Sequence, residues 1–251
     1  MDNIMGKPVL WHFAISHFNE KVRWALDYKQ IEHKKQLRFL GYPILNYLKT
    51  KQLSTPILFH NKTHILNSSD IICYLEKTYP QKPLYPTDRA QREKALELVE
   101  YFDTELGPSS RAFLIGSLFN TSKEATIGAF GMCAPKYQKK MVSALFPLFK
   151  VYYHYRHQFN ANDIGEAEAN VQRAIDRFEM ELGDKDFLVG DQFSVADLTA
   201  AAFFYPMVQP EQYPYPFDPV AQKAIEKIFE PFESRRLIKW VRGIYQMYRV
   251  S

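Results

Sequence analysis

The chain has 251 residues, 46% hydrophobic and 15% aromatic with 10 glycines, which is enough apolar material for a buried core in one large domain or two smaller ones and argues against disorder. Its formal charge of +4, from 32 basic and 28 acidic residues, comes without a dense basic run, so nucleic acid is set aside as a partner. The 2 cysteines, Cys73 and Cys133, fit neither a metal-ligand spacing nor a disulfide framework, and no stretch reads as a signal peptide or a bilayer span; a cytoplasmic protein without metal or membrane contact is expected.

From Pro8 to Phe13, PVLWHF has the short, bulky character of a buried strand and runs into a helical pattern in which Phe18, Val22, Ala25 and Leu26 share a face. A strand-like stretch follows at Lys34 to Phe39, then a looser segment with Leu45, Tyr47 and Leu48. STPILFH and KTHIL, separated by Asn61 and Lys62, read as a hairpin. NSSDIICYLEKTYP reads as a helix with Ser68 accepting the first unpaired backbone N–H groups and Pro80 ending it. The order β-α-β-α-β-β-α closes a compact unit over residues 1–82.

PQKPLYPTD is a stiff connector, and beyond it the patterning becomes helical over residues 88–251. Ala95, Val99, Phe102 and Leu106 form one stripe, Val171, Ile175, Phe178 and Leu182 another, and Ile238, Val241, Tyr245 and Tyr248 a third. The region from Met132 to His157 mixes Pro135 and Pro147 with aromatics and leaves its helix ends open, and YPMVQPEQYPYPFDP reads as a proline-stiffened loop. The fold class is an α/β unit followed by an all-α one.

Ser16 lies where a strand gives way to a helix, so it is either an ordinary N-cap or a hydroxyl beside an anion held at the positive end of the helix. S-H-F-N has no cysteine at either end, which removes thiol–disulfide exchange there. His17 reads as an exposed turn histidine before it reads as a base. Thr55-Pro56 is a strand start of either isomer, and Asn67 with Ser68 is a helix start or a set of donors for a carboxylate. Ser194 and Asp197 read as a capping box that serves folding.

Taken in order, these segments resemble the glutathione transferase superfamily over nearly the whole chain. S-H-F-N-E-K-V-R-W-A-L is similar to its catalytic segment, S-T-P-I-L to its cis-proline segment, I-L-N-S-S-D-I-I-C-Y-L-E to its acid-serine clamp, and F-L-V-G-D-Q-F-S-V-A-D-L to the fold signature of its helical domain, carried by Ser194 and Asp197. The resemblance implies a thioredoxin-like N-terminal domain and a helical-bundle C-terminal domain, glutathione as co-substrate, a hydrophobic electrophile as its partner, and a homodimer. It implies Ser16 as the catalytic hydroxyl on the glutathione sulfur, with Phe18, Thr55, Pro56, Asn67 and Ser68 binding glutathione. Arg111 and Phe113 are expected in the second-substrate pocket, with Tyr152, Tyr155 and Phe204 as further cleft candidates.

Asn67 departs from the family, which usually carries an acid there, and the charge-assisted part of a bond to an amine, about 1 kcal/mol or more, is lost with it. Two functions stay open: a transferase that activates the glutathione thiol as thiolate, and a non-catalytic ligand-binding or protein-interaction relative that keeps the fold.

Overall fold

The computed structural model describes residues 6–39, 42–157 and 163–249. The first unit holds strands β1 (Val9–His12), β2 (Lys34–Leu37), β3 (Ile57–His60) and β4 (Thr63–Leu66) with helices α1 (His17–Tyr28), α2 (Tyr42–Thr50) and α3 (Ser68–Thr78). The sheet order is β2-β1-β3-β4, with β1 parallel to β2, and β3 antiparallel to both β1 and β4. A parallel pair needs a crossover, which α1 supplies; an antiparallel pair needs only a tight turn, which Asn61 and Lys62 supply at positive φ. The loosely patterned segment around Leu45 is α2, a helix whose Ile44, Leu45 and Leu48 stay exposed, which is why no apolar stripe announced it.

The helical unit comprises α4 (Arg89–Tyr101), α5 (Gly107–Thr121), α6 (Lys123–Phe130), α7 (Lys136–Ala144), α8 (Phe146–His157), α9 (Ile164–Leu182), α10 (Val195–Val208), α11 (Pro219–Phe229) and α12 (Arg236–Tyr248). A five-residue π-helical turn, Phe102–Leu106, joins α4 to α5. Ala95, Val99, Phe102 and Leu106 are buried, as are Val171, Ile175, Phe178 and Leu182, so both stripes face the core. Ile238, Val241 and Tyr245 are buried too, and Tyr248 packs at the margin. Helix α10 is apolar on every side and almost wholly buried, the pattern of a helix surrounded by others. No helix among the described residues is long and apolar enough to cross a membrane.

Two local expectations are corrected. Ser68 is not the N-cap of α3: Asn67 takes that position without a side-chain cap bond, and Ser68 begins the helix, buried. The stretch read as a loop from Tyr205 starts as the last turn of α10, with Pro206 inside the helix, and ends as the first turn of α11 with Pro219 at its start. Proline at a helix start loses no hydrogen bond. The Ser194–Asp197 capping box is present: Ser194 Oγ accepts from Ala196 N at 3.3 Å, and the Asp197 carboxylate accepts from the backbone N–H groups of Ser194 at 2.9 Å and Leu188 at 2.7 Å.

Helix α1 holds the two units together. It packs against α3 of the first unit and α10 of the second, and its polar residues are buried with partners from both units. Arg23 pairs with Glu20 at 2.8 Å, and Arg249 pairs with the same carboxylate at 2.7 Å. Lys21 Nζ donates to Asp103 at 2.8 Å and to Ser69 Oγ at 2.8 Å. Tyr205 donates to the Ile15 carbonyl at 2.5 Å, and Trp24 Nε1 to the Tyr248 carbonyl at 3.0 Å.

Candidate functional site

Between the end of β1, the start of α1 and helices α2, α5, α7 and α8 lies a cavity of about 340 Å³. Ser16, Phe18 and Thr55 line it from the first unit, and Arg111, Tyr152 and Arg156 from the second. Its walls are largely aromatic, with Phe13, Phe130 and Phe149 among them. A pocket walled by apolar rings with a few converging polar groups is the usual form of a small-molecule site.

Ser16 is half-buried, at φ −77° and ψ 123°, and caps α1: its Oγ accepts from Asn19 N at 3.4 Å. Because that bond uses a lone pair, the hydroxyl proton stays available toward the cavity. The two readings of Ser16, cap and anion neighbour, are therefore compatible. His17 corrects the expectation of an exposed turn histidine. It is buried, its imidazole hydrogen-bonds the Gly107 carbonyl, and its pKa falls to about 3 through burial and then the nearby Arg111 charge. The ring is wedged beside Phe18 and Phe203, at 4.6 Å from each. Gly107 makes that packing possible, since a Cβ there would sit 2.6 Å from Phe18 and 2.8 Å from Phe203.

The Thr55-Pro56 peptide is cis, which settles the isomer that the sequence leaves open, and Thr55 reaches the cavity while Pro56 is buried behind it. Asn67 and Ser68 lie outside the cavity lining, at the start of α3. Asn67 is exposed, with φ 61° and ψ 146°, a sparsely populated backbone conformation of the kind found at ligand clamps. Its amide Nδ2 donates to Asp70 at 3.3 Å, so a carboxylate stands beside the position where the family's acid is absent.

Phe113 does not reach the cavity, although Arg111 does. Two residues along a helix turn a side chain through about 200°. Phe113 therefore faces the core, edge-on to Phe229 at 5.6 Å and Phe232 at 6.3 Å. Tyr152 lines the cavity, whereas Tyr155 is exposed and Phe204 is fully buried. The sequence reading missed Tyr42, Tyr153, Arg156 and His157, all of which line it. On α8 the signal was present: Phe149, Tyr152, Tyr153, Arg156 and His157 recur at the spacing of one helical face. Burial and neighbouring Tyr152 push the Tyr42 hydroxyl up to about 12. Burial, then Arg111 and Arg156, bring His157 down to about 3. No group of side chains suited to a metal ion occurs among the described residues.

The chain matches the family model of the glutathione S-transferase N-terminal domain over residues 10–83 and that of the glutathione S-transferase C-terminal domain over residues 121–236. It belongs to the glutathione S-transferase superfamily. Among curated relatives, the probable glutathione S-transferase parA of Nicotiana tabacum is 22% identical over 246 residues, covering 97% of this chain and 87% of that protein. The probable glutathione S-transferase MSR-1 of Nicotiana plumbaginifolia is 31% identical over 106 residues, 41% of this chain, and the match spans about half of that relative, 48%.

Among solved structures, human glutathione-S-transferase T1-1 superposes with a TM-score of 0.65 at 16% identity, over 97% of this chain and 84% of that one. Beta-etherase LigF from Sphingobium sp. strain SYK-6 superposes with a TM-score of 0.62 at 18% identity, over 95% and 99%. At these identities the likeness is one of fold: a thioredoxin-like mixed sheet with its helices, then a helical domain. Members of this superfamily bind glutathione.

Proposed function

We propose that the chain is a glutathione-dependent transferase, a reading carried by one observation: Ser16 caps α1 with a lone pair, which leaves its O–H free to donate, and the residue lines an apolar cavity. Glutathione would lie along the first unit, with its sulfur at Ser16 beside Phe18, its cysteinyl backbone against Thr55 ahead of Pro56, and its γ-glutamyl carboxylate at Ser68 and the N–H groups opening α3. Its amine would meet the Asn67 carbonyl, with Asp70 supplying the negative charge that residue 67 lacks.

A free thiol is mostly protonated at neutral pH, and donation from Ser16 together with the positive end of α1 stabilises the thiolate. The thiolate's electron pair then forms the bond to the electrophile, whose leaving group departs with its own pair. Arg111 and the aromatic walls would position that electrophile. The same reading makes the protein a cytoplasmic homodimer acting in detoxification, with residues 1–82 as the glutathione-binding domain and 88–251 as the helical one.

Calorimetric titration of glutathione into the wild type and Ser16→Ala, with ultraviolet titration of the bound thiolate, tests the reading. The wild type is expected to lower the thiol pKa by about one unit or more, equivalent to about 1.4 kcal/mol per unit, and Ser16→Ala to lose that shift. The substitution also removes a helix cap, at about 1 kcal/mol of stability, which a thermal melt reads separately. Absence of glutathione binding at millimolar concentration would sink the transferase reading. A ligand carrier would then take its place, the function that Asn67 favours.

A further inference from the structure

The charge of the cavity is one-sided. Arg111 on α5, Arg156 on α8 and Lys139 on α7 line it, and among the described residues no aspartate or glutamate does. Lys139 has a partner across the wall in Asp218, at 3.5 Å. Arg111 and Arg156 have no carboxylate, hydrogen-bond or ring partner among the described residues. Both are half-buried, and both act on the same interior groups: with burial, their charges keep His157 neutral, and burial with Arg111 does the same to His17, so neither imidazole of the lining adds to their field.

Two guanidinium groups turned into a partly desolvated, aromatic-walled space without a counter-charge are costly to hold, and an incoming anion relieves that cost. The planar donor fork of arginine matches a carboxylate in two parallel bonds. The two arginines come from the helical unit, whereas Ser16 and Thr55 come from the first unit. They therefore belong to the half of the cavity left for the second substrate.

We infer that the second substrate is an organic anion, an apolar electrophile bearing a carboxylate that Arg111 and Arg156 recognise. The inference rests on the transferase reading and specifies its substrate class. It also meets a physical requirement of that chemistry, because a thiolate attacking an anionic molecule is repelled by it and two fixed cations offset the repulsion. With a chloroarene carboxylate, the glutathione sulfur forms the C–S bond, the C–Cl bond breaks, chloride leaves with the bonding pair, and the thiol proton passes to solvent.

The test compares chlorodinitrobenzene with chlorodinitrobenzoate, the same ring carrying a carboxylate, in the wild type and in an Arg111→Gln/Arg156→Gln double variant. Each kcat/KM is divided by the uncatalysed rate of that electrophile. Wild type is expected to favour the carboxylate by about tenfold or more, and the double variant to lose that preference, its loss on the carboxylate exceeding its loss on the neutral ring by about tenfold. Calorimetry with the unreactive pair dinitrobenzoate and dinitrobenzene reads anion recognition without thiol chemistry, and the single variant Arg156→Gln serves if the double variant does not fold.

Equal efficiency on both electrophiles in the wild type, or an equal loss on both in the variant, overturns the inference. So does a variant whose glutathione affinity falls while dinitrobenzoate binding persists, since the arginines would then serve glutathione. If neither electrophile reacts and glutathione does not bind, yet dinitrobenzoate binds through the arginines, anion recognition stands and the transferase reading falls.

Discussion

At Ser16 the hydroxyl oxygen accepts the Asn19 N–H, which leaves its proton free for another acceptor, and the proposed donation to sulfur requires this division of a single side chain. Its neighbour His17 shows what burial does to a base. His17 and His157 fall to about 3 and His12 to about 2, chiefly through burial, with arginine charges adding to the effect. Each binds its proton more weakly in the folded chain than in the unfolded one, so each contributes stability that is present above about pH 6.5 and is lost as pH falls toward 3. Asp197, raised to about 6 by burial against its hydrogen bonds, has the opposite sign between the ordinary carboxylate range and pH 6, but it is one group against three. Stability is therefore expected to fall from about pH 6.5 to about 4. In His17→Gln the slope should drop by about 1.4 kcal/mol per pH unit, the value of one proton. Urea titrations at successive pH values read that slope, and an unchanged slope in the variant would show that His17 is not held neutral.

Among the elements, α1 departs furthest from its pattern. Phe18, Val22, Ala25 and Leu26 marked one apolar face, yet Glu20, Lys21 and Arg23 on other faces are buried too, because the helix packs against both α3 and α10. No periodicity in α1 foretells this, since the partners Asp103 and Arg249 lie far along the chain. The strands, the hairpin and α3 were legible because each depends on local signals. By contrast, α2 was read as a helix from its place in the order of elements and not from a stripe, its leucines being exposed, and the ends of α8 were obscured by Pro147, which sits harmlessly in its first turn. The ion pair between α1 and the π-helical turn is open to measurement. Lys21 is fully buried and Asp103 is one-fifth exposed, so Lys21→Met leaves a largely buried carboxylate with Ser69 as its remaining partner. A loss of about 2–4 kcal/mol in chemical denaturation is expected, and Lys21→Met/Asp103→Leu should recover a good part of it, because removing both charges removes the burial cost with them. A double variant no better than the single one would mean that shape, not charge, is what Lys21 contributes.

For the whole molecule, the two-part architecture and the order of elements were readable, as were Ser16, Thr55 and Arg111 at the cavity. The inward direction of Phe113 was not, nor was most of the α7–α8 wall beyond Tyr152, since which face of a helix meets a cavity depends on tertiary packing. That packing also decides how the two parts unfold. Trp24 of α1 lies 4.3 Å from Tyr245 and 6.0 Å from Phe193, and its indole donates to the Tyr248 carbonyl, so a fully buried side chain of the first unit is solvated mainly by the second. Glu20 and Lys21 are neutralised in part by residues of the helical unit. Separating the parts would expose Trp24 and strand those charges, so neither is stable at a denaturant strength that unfolds the other, and one cooperative transition is expected. The chain has 3 tryptophans, Trp11 and Trp24 in the first unit and Trp240 in α12. In Trp240→Phe, tryptophan fluorescence therefore reports Trp11 within the first unit and Trp24 at its contact with the second, while far-ultraviolet circular dichroism is dominated by the helices of the second. Superimposable urea transitions by the two probes support a shared core built around α1. A fluorescence midpoint displaced from the dichroism midpoint would mean that the contacts of α1 with α10 and α12 add little, and that the first unit folds on its own.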